Sequence, residues 1–307
     1  MTPRIDDPST SPRIPRRGFL ALGLGAVAWA CAKGTPGSDP SAEPGDAAFS
    51  VIATAKLGLA IGDTRQAFAV FRGQRPVAVE GLKLALKPPT GRAFEVTAQH
   101  VKTERGPGGD SHEHAEDTEV ADIYVVRHDF DTPGVWEAAL IFDGGRANEV
   151  FQIVEESPSP MVGQQAIASK SPTTDDPEGV DPICTRDPVC SMHDVTIADA
   201  ISSGKPTVII FGTPRYCESR TCGPVVDYVE AAKEKVGDDA SFIHVEVWKN
   251  DEVVGQPKGD APSFAEWKLG TEPWIYFIGS DGKVRDRWLG AAGPDEIRKA
   301  VDALVST

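Results

Sequence analysis

Lys205-Pro-Thr-Val-Ile-Ile-Phe211, continuing as Gly212-Thr-Pro-Arg-Tyr-Cys217-Glu-Ser-Arg-Thr-Cys222-Gly-Pro224, is the stretch on which the fold turns. The run 207–211 is apolar without alternation, so it reads as a strand buried on both faces. Pro224 suits the first turn of a helix, because its fixed φ is preorganised and its missing N–H is not needed there. Both cysteines therefore lie where a buried strand hands over to a helix that runs to about Val236. Upstream, 194–203 is amphipathic, with Asp194 as its expected cap, and Gly204-Lys205-Pro206 stops it. Downstream come a strand at 240–247, a short helix at 263–268, and strands at 274–278 and 284–289 around Ser280-Asp281-Gly282-Lys283. A final helix covers 294–304. Alternating strand and helix mark an α/β domain.

That order resembles the thioredoxin fold. Cys222-Gly223-Pro224 matches the Cys-Gly-Pro of the thioredoxin site. Thr271-Glu272-Pro273-Trp274 stands where that superfamily places a cis-proline opposite its cysteines. The resemblance implies a thioredoxin-like domain over 184–307, with Cys217 and Cys222 catalytic and with Glu272 and Pro273 beside a bound extended peptide. Four residues separate the cysteines, where thioredoxin has two, so attacking and resolving roles stay open between them. With Gly223 as cap, both cysteines are expected in the loop ahead of the helix, close enough to bond. The positive helix end, Arg215 and Arg220 favour a thiolate, while Glu218 and Glu272 oppose it.

The leading expectation is a thiol–disulfide oxidoreductase that needs no cofactor. Its partners would be protein thiols or disulfides, together with a membrane electron donor. Thr213-Pro214 ahead of Cys217 resembles one peroxiredoxin subgroup, which keeps a peroxidase open. A third reading is a lipid-anchored binding protein or metallochaperone in which the cysteine bonds are structural. Copper carriers of the Sco type share the fold, but His244 alternates with Phe242 and Glu246 and reads as core packing.

Cys184-Thr-Arg-Asp-Pro-Val-Cys190 carries a turn at Asp187-Pro188 that lets its ends approach, and a structural disulfide between Cys184 and Cys190 is expected. His193 opens a Cys/Cys/His metal alternative, which falls short of the four ligands of a closed zinc site.

The first half has a different rhythm. From 48 to 155, short stretches of alternating apolar and polar residues are divided by turn signals such as Lys87-Pro88-Pro89-Thr90-Gly91 and Asp143-Gly144-Gly145. Strands are expected at 50–54, 66–72, 79–86, 93–103, 121–128, 135–142 and 146–154, as in an immunoglobulin-like β-sandwich. Tyr124, Phe130 and Pro133-Gly134-Val135-Trp136 resemble the core hairpin of bacterial modules of that kind. Asp110-Ser111-His112-Glu113-His114-Ala115-Glu116-Asp117 holds metal-ligand types, but it follows a Gly-rich run and reads as a solvated loop. Residues 156–183, rich in Ser, Pro, Thr and Asp, read as a linker. Within them, Val162-Gly163-Gln164-Gln165-Ala166 resembles the entry segment of membrane-anchored thioredoxins and peroxiredoxins.

The chain has 307 residues, five cysteines and a formal charge of −15, with 40% hydrophobic residues. Those figures allow two cored domains and argue against nucleic acid as a partner. Arg16-Arg17-Gly18-Phe19-Leu20 and the apolar run to Ala30 form an export signal over 1–31 that resembles the twin-arginine type. Ala28-Trp29-Ala30-Cys31 resembles a lipoprotein cleavage box, so Cys31 is the expected lipid attachment point and 32–47 a flexible tether. The expected location is extracytoplasmic, in the periplasm or anchored to a bacterial cell membrane.

Overall fold

The structure, a computed structural model, describes residues 48–103, 122–217, 221–249 and 259–307. The export signal, Cys31, the tether and the histidine-bearing segment 110–117 lie outside the described residues, as do Glu218 and Arg220. Asp46–Thr307 form a single compact unit.

Among the described residues, ten strands build the first half: β1 (Phe49–Ala53), β2 (Leu59–Ala60), β3 (Gly62–Arg72), β4 (Arg75–Pro76), β5 (Lys83–Lys87), β6 (Phe94–Val96), β7 (Gln99–Val101), β8 (Ile123–Phe130), β9 (Gly134–Phe142) and β10 (Gly145–Val154). One sheet has the order β1-β3-β8-β7, with β4 also on β3; the other has the order β2-β10-β9-β5-β6. All pairs are antiparallel except the short parallel contact of β2 with β10. In β9 the alternation is strict: Trp136, Ala138, Leu140 and Phe142 are buried between exposed Val135, Glu137 and Ile141. They meet Phe68, Tyr124 and Phe130 of the facing sheet in one core. Polar tips inside are satisfied: Trp136 Nε1 donates to Thr132 O at 2.8 Å, and Tyr124 Oη donates to Val79 O at 3.0 Å.

The second half contains α1 (Ile197–Ser202), β11 (Thr207–Phe211), α2 (Cys222–Val236), β12 (Ser241–Val245), α3 (Pro262–Trp267), β13 (Trp274–Ile278), β14 (Val284–Leu289) and α4 (Pro294–Val305). The sheet order is β12-β11-β13-β14, with β11 parallel to β12 and the other pairs antiparallel. As its unbroken apolar sequence predicts, β11 is buried on both faces. Val208 and Ile210 meet Val225, Val226 and Val229 of α2 and Ile297 and Val301 of α4. Ile209 and Phe211 point the other way, with Trp267 and Tyr276.

Thr196, and not Asp194, caps α1, its Oγ1 accepting from Asp199 N at 3.0 Å. Thr196→Ala is expected to cost about 1 kcal/mol in urea denaturation, while Asp194→Ala should leave stability unchanged.

Residues 156–183 are not a free linker. Ser159, Ser169, Ser171 and Thr173 are buried, and their hydroxyls are used. Ser169 Oγ accepts from Trp267 Nε1 at 2.9 Å and donates to Glu266 at 2.5 Å; Ser171 Oγ accepts from Ile197 N at 2.9 Å. Small polar residues here pin the chain across the α/β half.

The two halves also share packing. Most of β3 is buried on both faces because its outer side, Ala67 and Ala69, meets Ala291. Arg65, 2% exposed, donates to Glu296 at 2.6 and 2.8 Å and to Ala291 O at 2.9 Å. Its guanidinium lies 5.0 Å from the centre of the Trp288 ring. At Gly290, φ is +84° and a Cβ would stand 2.6 Å from Thr54 O, so only glycine lets the β-half approach there.

Candidate functional site

β11 delivers the chain into Gly212, and a turn follows in which Cys217 N donates to Thr213 O at 3.1 Å. Cys222 opens α2, preceded by Thr221 at the cap position. The expected placement is thus shifted by one step: Cys222 is the first helical residue and not part of the loop. Cys217 and Cys222 form a disulfide with Cα atoms 6.0 Å apart. Both are buried, Cys222 completely and Cys217 with 9% of its area left exposed.

The Glu272–Pro273 peptide is cis. Pro273 and Cys222 both stand against Gly212, where an added Cβ would lie 3.5 Å from the Cβ of each. Glu272 turns towards the sulfurs. One carboxylate oxygen and the two Sγ atoms lie within 4.8 Å of one another. The carboxylate also accepts from Thr213 N at 2.5 Å. Burial pushes the Glu272 carboxyl up to about 7, against the lowering effect of the Thr213 amide and helped by the charge of Glu246. A group with that pKa, beside a disulfide, exchanges protons readily at neutral pH. The sequence reading gave Glu272 a place beside substrate; the structure brings it to the sulfurs.

Its titration also marks stability. Because the folded state holds the Glu272 proton more tightly than the unfolded chain, stability contributed by that proton is complete below about pH 4.5 and is lost as pH rises to about 7. In Glu272→Gln, this part of the decline in unfolding free energy between pH 4.5 and 7 should disappear, read by urea denaturation across that range. An unchanged slope would remove Glu272 from the account.

Cys184 and Cys190 depart from expectation. Both are free and buried, with Sγ atoms 3.8 Å apart, so they are not the disulfide the sequence suggested. Two histidines close around them. Cys190 Sγ lies 3.2 Å from His193 Nε2 and 3.3 Å from His244 Nδ1, and Cys184 Sγ lies 3.7 Å from His244 Nδ1. The hydrogen bond from Cys190, with help from both histidines, holds the Cys184 thiol far below its usual range against the effect of burial. The Cys190 thiol is correspondingly pushed up. Burial lowers His193 below its ordinary value. His244, expected as packing on β12, is the member that sequence reading missed. Its inward position was legible, but its meeting with a loop some 54 residues earlier was not.

Residues 194–304 match the family model of a thioredoxin-like domain. No curated protein matches the chain. Among solved structures, a thioredoxin-family thiol:disulfide interchange protein from Chlorobium tepidum TLS is similar at 13% identity, TM-score 0.31, covering 50% of this chain and 99% of that one. Trgpx in its apo form is similar at 18% identity, TM-score 0.27, covering 47% and 97%. The PKD domain of the human VPS10 domain-containing receptor SorCS2 is similar at 12% identity, TM-score 0.20, covering 50% and 100%. Residues 194–304 therefore carry a thioredoxin-like domain.

Proposed function

We propose that the protein is a thiol–disulfide oxidoreductase working through Cys217 and Cys222, with proteins carrying thiols or disulfides as its substrates. The observation that carries this reading is the Cys217–Cys222 bond at the head of α2, facing cis-Pro273, with the Glu272 carboxylate within reach of both sulfurs.

In the reducing direction the cycle runs as follows. The Cys217 thiolate attacks one sulfur of a substrate disulfide, because Cys217, 9% exposed, is the less buried of the two cysteines. The substrate S–S bond breaks, a mixed disulfide forms, and the departing thiolate takes a proton. Cys222 then gives its proton to Glu272 and attacks Cys217 Sγ. The second substrate thiolate leaves, the Cys217–Cys222 bond is restored, and two electrons have passed to substrate. α2 directs its unpaired amides at this region, which favours thiolate over thiol. The same steps in reverse oxidise a dithiol substrate.

Insulin reduction by the dithiothreitol-reduced protein, followed by turbidity, tests the reading. A rate no greater than that of dithiothreitol alone would reject it. Peroxide consumption by the same reduced protein, if faster than insulin reduction, would favour the peroxidase chemistry that Thr213-Pro214 suggests.

We place this activity outside the cytoplasm, on a lipid anchor at Cys31. The support is the Arg16-Arg17 signal, its short apolar run and the Ala28-Trp29-Ala30-Cys31 box. Fractionation of cells producing the wild type and Cys31→Ser tests it. The wild type should pellet with membranes and the variant should not; equal distribution would refute the anchor.

A further inference from the structure

The four side chains Cys184, Cys190, His193 and His244 take no part in the chemistry above. Each is buried, and one ligand atom from each lies within 4.8 Å of the other three. We propose that they form a closed, tetrahedral Cys2His2 site for zinc.

The distances carry the argument. Zinc bonds of ~2.3 Å to sulfur and ~2.0–2.1 Å to nitrogen, arranged tetrahedrally, put two sulfurs about 3.8 Å apart and a sulfur and a nitrogen about 3.6 Å apart. The sulfurs here are 3.8 Å apart, and the three sulfur–nitrogen distances are 3.2, 3.3 and 3.7 Å. Hydrogen bonding between thiols and imidazoles would be satisfied by pairs; it does not require four ligand atoms converging on one centre.

The surroundings fit a metal as well. His244 Nε2 donates to Gly212 O at 2.7 Å, which fixes the tautomer and leaves the Nδ1 lone pair facing the sulfurs. The loop that supplies three of the ligands is held before any ion arrives. Arg186 Nε donates to Asp227 at 2.6 Å, Thr185 N to Glu246 at 2.6 Å, and Ser191 N to Glu230 at 2.9 Å. His244 N donates to Met192 O at 2.9 Å, which fastens β12 to the same loop. Two thiolates neutralise a divalent ion, so the filled site would carry no net charge into the interior. Two sulfurs and two nitrogens in a tetrahedron, with no open position, are the donor set of a structural zinc centre and not of a catalytic one.

Such a centre would stand directly behind the redox pair. Gly212, which accepts from His244, is the residue against which Cys222 and Pro273 pack. Thr185, next to Cys184, accepts from Arg215 N at 3.2 Å, two residues before Cys217. The metal would therefore fix the strand end and turn that present the disulfide.

The test uses the full chain, reduced, incubated with zinc and passed through gel filtration. One zinc per chain should be retained by the wild type and equally by Cys217→Ser/Cys222→Ser, since those cysteines are not ligands. Retained zinc should be lost in Cys184→Ser and in His193→Gln. Cobalt(II) added to the metal-free wild type reads the site without any variant. Intense tetrahedral d–d absorption with thiolate-to-cobalt charge transfer is expected. A weak octahedral cobalt spectrum would overturn the proposal. So would zinc retention that depends on Cys217 and Cys222, or a Cys184–Cys190 disulfide as the stable state of the native chain in the presence of zinc.

Discussion

Cys217→Ser will lower insulin reduction at least about a hundredfold, because among the described residues no other sulfur is placed to attack. Cys222→Ser will also lose turnover, but in a different way. The assignment follows burial: both cysteines are buried, but Cys217 keeps 9% of its area exposed and Cys222 none. With Cys222 removed, Cys217 should still attack, and the mixed disulfide should then persist because nothing resolves it. Mass spectrometry of Cys222→Ser after reaction with a disulfide substrate should show one substrate thiol attached, and Cys217→Ser should show none. The opposite pattern would exchange the two roles. Near-parental rates in both variants would end the catalytic account.

Arg65→Ala is expected to be the most damaging substitution outside the site. Its side chain is 1% exposed and its partner Glu296 only 14%. Removing one member of a buried pair leaves the other charge without compensation and costs about 3–5 kcal/mol. For a unit of this size that is a fall of roughly 10 °C in the melting temperature. The loss includes the Ala291 carbonyl and the Trp288 face, so Glu296→Gln should cost less than Arg65→Ala. A double-mutant cycle between Arg65 and Glu296 measures the coupling, and additive effects would show that the pair does not join the two halves. Arg127 makes a second crossing, to Asp286 at 2.6 Å, but it lies in solvent and should matter little.

Some parts of the fold are legible in the sequence alone. The run 207–211 has one reading: no polar residue breaks it, so a buried strand follows. Pro224 is constrained enough to mark a helix start, while the place of Pro273 opposite the cysteines comes from the resemblance to thioredoxins. Trp136, with small and apolar residues at two-residue spacing, declares its inward face. By contrast, Arg65 sits between Asp63-Thr64 and Gln66, which looks like a polar strand entry. It is buried only because Glu296, some 231 residues later, is brought to it. Residues 169–173 look like linker because Ser and Thr can be solvated, yet here Trp267 and Ile197 supply their partners.

Cys184 and Cys190 teach the same lesson at the scale of chemistry. A six-residue separation with a turn suits a disulfide and a metal site equally well. His244 decides between them, and nothing local connects it to the loop. Glu272 was placed next to the proline by sequence, but its approach to the sulfurs depends on the Thr213 amide that holds its carboxylate.

The reduction potential of the Cys217/Cys222 pair tests the central claim most directly. Equilibration of the protein, with Cys184 and Cys190 changed to alanine if their thiols interfere, against glutathione or thioredoxin buffers gives the value. A working thiol–disulfide exchanger should lie between about −270 and −120 mV, the span of known dithiol oxidoreductases. A potential below about −300 mV would make the bond a permanent staple and contradict the account.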